Sequence, residues 1–257
     1  MLLMSLLTAW LLGFEDRLVY FPTRELVASP ADYDLPYERV TFEAEDGLRL
    51  MGWVIPSEGE DWLLYFHGNG ENVSRYLTLI ARLHELGLNI LIFDYRGYGE
   101  SEGVPSEAGL YADARVAYAF LQGRGVGPER LYLYGFSLGS GVAVNLATEV
   151  EVAGLVLEAA YTSLPAAGRH RYPFLPTGFM RNRYDSLSKI AEVRAPLLML
   201  HARDDYTVPF RQGQELYAAA AQPKRFTELS GGHIAMLRES PDPRGLWAIE
   251  RFVEGRE

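Results

Sequence analysis

The chain alternates short apolar runs with longer amphipathic stretches, and most of the expected architecture follows from that alternation. Runs rich in β-branched and aromatic residues at 38–44 and 48–56 flank Asp46-Gly47, a favoured hairpin turn, so these two are expected to pair antiparallel. Apolar runs of the buried-strand type follow at 62–66, 89–93, 131–135, 154–157, 196–200 and 225–229. Helical periodicity fills the gaps at 71–86, 108–122, 138–150, 210–221 and 241–253. Such a pattern predicts an α/β fold. Its core is a mostly parallel eight-stranded sheet with the second strand antiparallel, helices on both faces, and functional residues at the carboxyl ends of the strands. One stretch fits no such unit: residues 161–195, between the sixth and seventh expected strands, are rich in Pro, Arg and aromatics and read as a small cap.

Size and composition narrow the function. A chain of 257 residues with 48% hydrophobic and 23% charged residues can bury one large core. A net charge of −10 with no basic stripe argues against a nucleic-acid partner. The absence of cysteine removes disulfides and thiolate nucleophiles. The segment Met1 to Phe14 is almost wholly apolar before Glu15-Asp16-Arg17. As a helix of about 14 residues it would reach roughly 21 Å, short of a roughly 30 Å bilayer core. No Lys or Arg precedes Arg17, which weakens a signal-peptide reading. Two readings stand for it, a membrane-surface anchor and a helix packed on its own body or on a partner subunit. The location is accordingly membrane-associated through this helix or cytoplasmic. The sequence is silent on oligomeric state.

The central chemical feature is Gly135-Phe136-Ser137-Leu138-Gly139, a G-x-S-x-G element with a strand before it and a small-residue helix start after it. Such an elbow exposes a serine hydroxyl at a helix N-terminus. A serine hydroxyl is a poor nucleophile at neutral pH and needs a base, ordinarily His, oriented by a carboxylate. Of five histidines, His233 in Gly231-Gly232-His233 lies just past the last expected strand, where a loop can bring imidazole over the elbow. His84 reads as a solvated helix residue, His170 belongs to the cap, and His201 reads as a structural hydrogen-bonding group. For the acid, Asp204 and Asp205 both follow the seventh strand, with Glu158 a third contender. The turn His67-Gly68-Asn69-Gly70 can supply the Asn69 N–H to an oxyanion, opposite the Leu138 N–H. In the cap, Tyr172, Phe174, Leu175, Phe179 and Met180 read as an apolar substrate pocket or as the cap's own core, and Arg169, Arg171, Arg181 and Arg183 as surface charge or as contacts for an acidic head group.

Together with Asp94-Tyr95-Arg96-Gly97-Tyr98-Gly99-Glu100-Ser101, Leu157-Glu158-Ala159 and the Val208-Pro209 run, these motifs resemble the α/β-hydrolase superfamily of serine hydrolases. The resemblance is to its small-cap members, which include membrane-associated esterases and acyl-protein thioesterases. Tyr20-Phe21-Pro22 after an apolar N-terminus is similar to these members as well. It implies Asp205 as the acid, three residues before Val208, and a structural role for Asp94 and Arg96. The implied organisation is an N-terminal helix and lead-in at 1–25 and a single hydrolase domain at 26–257 with a cap at about 161–195. The expected activity is a carboxylesterase or lipase-like serine hydrolase. It would use Ser137, Asp205 and His233, with Asn69 and Leu138 as oxyanion donors and Tyr172, Phe174, Phe179 and Tyr206 as substrate contacts. No cofactor or metal is called for, and the partner is a small-molecule or lipid-like acyl ester. The alternatives are an acyl-protein thioesterase and a non-catalytic binding protein on the same fold.

Overall fold

The computed structural model describes residues 15–17, 19–171, 173 and 177–255. Its centre is an eight-stranded sheet. The sheet comprises β2 (Glu38–Glu43), β3 (Arg49–Ile55), β4 (Trp62–Phe66), β6 (Asn89–Phe93), β7 (Leu131–Phe136), β8 (Gly154–Glu158), β9 (Leu197–Ala202) and β10 (Lys224–Leu229). Two short strands, β1 (Phe21–Pro22) and β5 (Gly70–Glu71), pair parallel in a separate ribbon. Along the main sheet the order is β10-β9-β8-β7-β4-β6-β3-β2. β3 runs opposite to the other seven strands of this sheet, pairing antiparallel with β2 (Glu38 opposite Val54) and with β6 (Gly52 opposite Phe93).

The central strands are apolar without alternation because both faces are covered. Successive residues of β4 enter opposite cores: Leu64 and Phe66 pack into one, Leu63 and Tyr65 into the other. The first core is closed by α2 (Glu107–Gly123), α3 (Leu138–Glu149) and α6 (Phe210–Ala219) through Leu110, Ala114, Ala117, Val142, Ala143 and Leu216. The second is closed by α1 (Leu77–Glu85) and α7 (Pro243–Val253) through Leu77, Ile80, Leu83 and Ile249. Helix starts follow local chemistry. The Ser106 hydroxyl accepts the Gly109 N–H ahead of α2, and Asp242 accepts the Arg244 N–H with Pro243 in the first turn of α7.

One expectation needs correction. The helix anticipated at 71–86 begins only at Leu77. Before it, Gly70–Glu71 is β5, Glu71 has φ 71°, and Val73–Tyr76 is a 3-10 turn. The reason is tertiary: the Asn72 amide donates to the Thr23 and Glu25 carbonyls, and the Val73 N–H donates to Asp94 Oδ1 at 2.9 Å. The stretch 161–195 contains α4 (Leu164–Arg171), α5 (Ser186–Lys189) and 3-10 turns at Thr177–Phe179 and Ile190–Glu192. The apolar segment Met1 to Phe14 lies outside the described residues. Among those described, no helix is long and apolar enough to cross a membrane.

A buried ion pair joins the loop after β6 to α2. Asp113, with no exposed surface, accepts the Arg96 N–H (2.8 Å) and two guanidinium N–H groups (2.9 and 2.7 Å), while the third arm of Arg96 reaches Asp46 at 2.8 Å. Removing one partner of such a pair leaves a charge buried without compensation. Arg96→Met is expected to lose about 3–5 kcal/mol of stability. Arg96→Met/Asp113→Leu should lose less than the sum of the single changes, and urea unfolding midpoints of the three variants check both expectations.

Candidate active site

The site is built where β7 turns into α3. Ser137 sits between them at φ 50°, ψ −115°, a region that a side chain rarely adopts. Three features hold it there. The Ser137 N–H donates to the Glu158 carbonyl at 3.0 Å, the Ser137 carbonyl accepts both the N–H and the hydroxyl of Ser140 (2.9 and 2.6 Å), and the flanking glycines let strand and helix meet. A Cβ on Gly135 would stand 2.6 Å from the Gly139 carbonyl, and one on Gly139 would collide with the Phe66 carbonyl of β4. Ser137 therefore occupies the N-cap position of α3, yet its side chain makes no capping hydrogen bond. Its Oγ lies 3.0 Å from His233 Nε2 instead.

The remaining groups converge from neighbouring strand ends. His233 Nδ1 donates to Asp205 Oδ2 at 2.8 Å, the tautomer that leaves Nε2 free to accept from Ser137. Asp205 Oδ1 accepts the N–H groups of Thr207 and Val208 at 2.8 and 2.9 Å. Burial by itself would raise the Asp205 carboxyl. Hydrogen bonds from His201 and His233, electrostatic attraction to the His233 ring and the Val208 N–H outweigh it and hold the group well below the usual carboxylate range. Asp204 has a different partner, accepting the N–H groups of Gly231 and Gly232 at 3.0 and 3.1 Å, so it shapes the turn that delivers His233. The two positive-φ residues Gly231 and Gly232 were the sequence signal for such a turn.

The other histidines stand apart from Ser137. His201 is buried with Nε2 at 3.0 Å from the Val208 carbonyl. His84 bonds the Pro56 carbonyl, and His170 is exposed on α4. His67 is fully buried, and burial lowers its pKa to about 4, so it is neutral beside Asp94, whose Oδ1 lies 3.7 Å away. Glu158 reaches neither His233 nor Ser137 with its side chain. It accepts the Tyr134 hydroxyl at 2.7 Å and the Met236 N–H at 3.4 Å.

The turn His67-Gly68-Asn69-Gly70 lies directly against the elbow, since a Cβ on Gly68 would stand 2.9 Å from the Phe136 ring. Leu138 is the first residue of α3, so its N–H has no intrahelical partner. Of the anticipated substrate contacts, Tyr206 follows Asp205 and is 85% exposed. Tyr172, Phe174 and the Phe179 side chain lie outside the described residues. Arg181, with its side chain exposed, pairs with Glu15 and Asp16 at 3.5 and 3.4 Å. Among the described residues no group of three or more His, Asp or Glu side chains is placed to hold a metal ion.

Burial pushes the Glu158 carboxyl up from 4.5 to about 7, against the hydrogen bonds from Tyr134 and Met236. Folding thus favours its protonated form, so this residue's contribution to stability is complete below pH 4.5 and declines as pH rises to about 7. Gln mimics the protonated carboxyl. Relative to wild type, Glu158→Gln is expected to gain stability between pH 5 and pH 8, by about 3 kcal/mol at most, read from urea midpoints at the two pH values.

A family model described as serine aminopeptidase, S33, matches residues 58–180. An uncharacterized protein of Mycobacterium tuberculosis is 43% identical over 226 residues, covering 85% of this chain and 80% of that protein. The Arabidopsis thaliana alpha/beta hydrolase domain-containing protein WAV2 is 31% identical over 239 residues, covering 83% and 78%. The Danio rerio lysophosphatidylserine lipase ABHD12 is 37% identical over 184 residues, 63% of this chain and 48% of that protein. Among solved structures, an esterase of Pyrococcus furiosus superposes with a TM-score of 0.77 at 22% identity, covering 92% of this chain and 99% of the esterase. The relatives, the strand order and the elbow at Ser137 agree, and the chain belongs to the α/β-hydrolase superfamily of serine hydrolases.

Proposed function

We propose that the protein is a serine esterase that cleaves carboxylic esters or thioesters through an acyl-enzyme, with residues 161–195 as a small cap on a single domain at 26–257. The observation that carries this reading is the hydrogen-bonded series Ser137 Oγ, His233 Nε2, His233 Nδ1, Asp205 Oδ2, at 3.0 and 2.8 Å, ending on an elbow whose serine is free of capping duty. In this reading Ser137 Oγ bonds to the acyl carbon as His233 Nε2 takes its proton. The N–H groups of Leu138 and Asn69 hold the carbonyl oxygen as it gains negative charge. His233 then gives the proton to the departing alcohol or thiol. Water, deprotonated by the same nitrogen, attacks the acyl-enzyme and restores the Ser137 hydroxyl with release of the acid. Asp205 remains ionised throughout, because its accepted N–H groups and the His233 cation stabilise the anion.

The name of the zebrafish relative supports a lipid-like ester as the substrate class. Tyr172, Phe174, Phe179 and Tyr206 are proposed to meet the acyl group. Met1 to Phe14 is proposed to bring the enzyme to a lipid surface, a role that vesicle partition of the full chain against one lacking residues 1–14 reads directly. A fluorophosphonate probe is expected to label the wild type and leave Ser137→Ala unlabelled. Asp205→Asn should lower kcat on p-nitrophenyl esters by about 10⁴-fold, and Ser137→Ala by at least as much. A panel from acetate to palmitate, with one thioester, assigns the acyl length and the leaving atom. A wild type that neither labels nor turns over any member of the panel overturns the reading in favour of a binding protein.

A further inference from the structure

The side chain of Asn69 does work that its backbone does not. Its amide group donates to the Val19 carbonyl, while its Oδ1 accepts the Phe21 N–H at 3.3 Å and the Tyr98 hydroxyl at 2.9 Å. One residue further on, Gly70 and Glu71 pair in parallel with Phe21 and Pro22. Beyond that, Asn72 donates to the Thr23 and Glu25 carbonyls and to the Thr23 hydroxyl, and the Val27 N–H donates to the Ser74 hydroxyl at 3.0 Å. Residues 69, 70, 71, 72 and 74 of the loop after β4 are thus each tied to residues 47–50 positions earlier.

The N-terminal stretch is itself held from its other side. The Tyr20 hydroxyl donates to Asn182 Oδ1 at 2.7 Å and shares a 2.8 Å contact with the Tyr184 hydroxyl. Glu15, 5% exposed, accepts the N–H groups of Arg181 and Asn182 at 2.9 and 2.7 Å, and Asp16 accepts the Asn182 amide at 2.8 Å. The Gly99 N–H donates to the Thr23 carbonyl at 2.8 Å, and Arg24 reaches the Ser101 carbonyl at 2.5 Å. Residues 15–17 and 19–27 are therefore stitched, as a strap, to three loops: the turn at 67–74, the loop at 94–101 and the stretch at 181–184.

The Gly-rich turn is held on its inner side by the Tyr76 hydroxyl, which accepts the Gly68 N–H at 3.1 Å and donates to the Gly70 carbonyl at 3.3 Å, and the Asn69 side chain between those two points ties it to the N-terminal stretch. Gly68 and Gly70 flank Asn69, and Gly70 has open space where a Cβ would stand. An N–H donor to a developing oxyanion is effective only when its direction is fixed before reaction. We propose that the strap is a working part of the oxyanion turn, with the Asn69 side chain as a positioning group that locks the turn onto residues 19–21 and so aims the Asn69 N–H at the site. This rests on the serine-esterase reading given above. Asn69 then has two separable duties, its N–H on the oxyanion and its side chain on the strap.

Asn69→Ala tests this because it keeps the N–H and removes the lock, and Tyr98→Phe removes one of the bonds to the same oxygen with less disturbance of packing. In full-length protein, hydrogen exchange at residues 19–22 and 69–73 is expected to quicken at least about tenfold in Asn69→Ala and less in Tyr98→Phe. On a p-nitrophenyl ester, kcat should fall about 10–100-fold in Asn69→Ala with KM within about threefold. A trifluoromethyl ketone that mimics the tetrahedral intermediate should weaken in parallel with kcat. Unchanged exchange overturns the lock. Faster exchange with wild-type kcat shows that the lock does not aim the donor, and a rise in KM that accounts for the whole loss shows a substrate contact instead; each overturns the proposal. A wild type that fluorophosphonate does not label removes the oxyanion itself and overturns it by a separate route, while the exchange data still tell whether the strap holds the turn.

Discussion

The structure depends on one local conflict: at position 137 the backbone adopts a conformation that costs about 1–3 kcal/mol for a residue with a side chain, and the surroundings leave it no alternative. The strand before it and the helix after it are locked by the packing of Gly135 on Gly139 and of Gly139 on the end of β4. Their relative direction fixes the turn between them. Everything assembled around the hydroxyl takes this turn as its reference. The β8 carbonyl bonds its N–H, the β9 loop carries the carboxylate, the β10 loop carries the imidazole, and the β4 turn leans on the neighbouring ring.

A second layer of polar contacts keeps these loops in register. Glu158 joins two of them, its carbonyl on the Ser137 N–H and its carboxyl on the Met236 N–H three residues past His233. Asp204 stands beside the acid but serves the turn before the base. Neighbouring carboxylates thus have unlike tasks because their environments differ. Asp205 is pinned as an anion by N–H donors, whereas Glu158, buried among tyrosines, is drawn toward its neutral form.

How much of this could be read from the sequence depended on the distance over which each feature is decided. β4 and β6 were legible to the residue, at 62–66 and 89–93, because burial on both faces writes an uninterrupted apolar run. The elbow was legible because Gly135 and Gly139 lie two residues either side of the serine they serve. The start of α1 was not legible, since Glu71 and Asn72 obey contacts with Thr23 and Glu25 that no local pattern records. The same holds for Asn69, whose backbone could be assigned from its glycine neighbours while its side-chain bonds to residues 19–21 could not. For the acid, the resemblance at Val208-Pro209 already pointed to Asp205, but what Asp204 holds, the N–H groups of Gly231 and Gly232 in the turn before His233, is decided across 27 and 28 residues and no local pattern records it.

The uncapped start of α3 has a consequence of its own. A serine at a helix N-terminus ordinarily steadies the first turn, worth about 1 kcal/mol, and here it gives up that role while also bearing a positive φ. Glycine would relieve the φ at once. If folding stability were the only criterion, position 137 would be among the first to drift to glycine. A serine there is locally the wrong residue twice over, and its presence marks the site as one shaped by a demand other than stability.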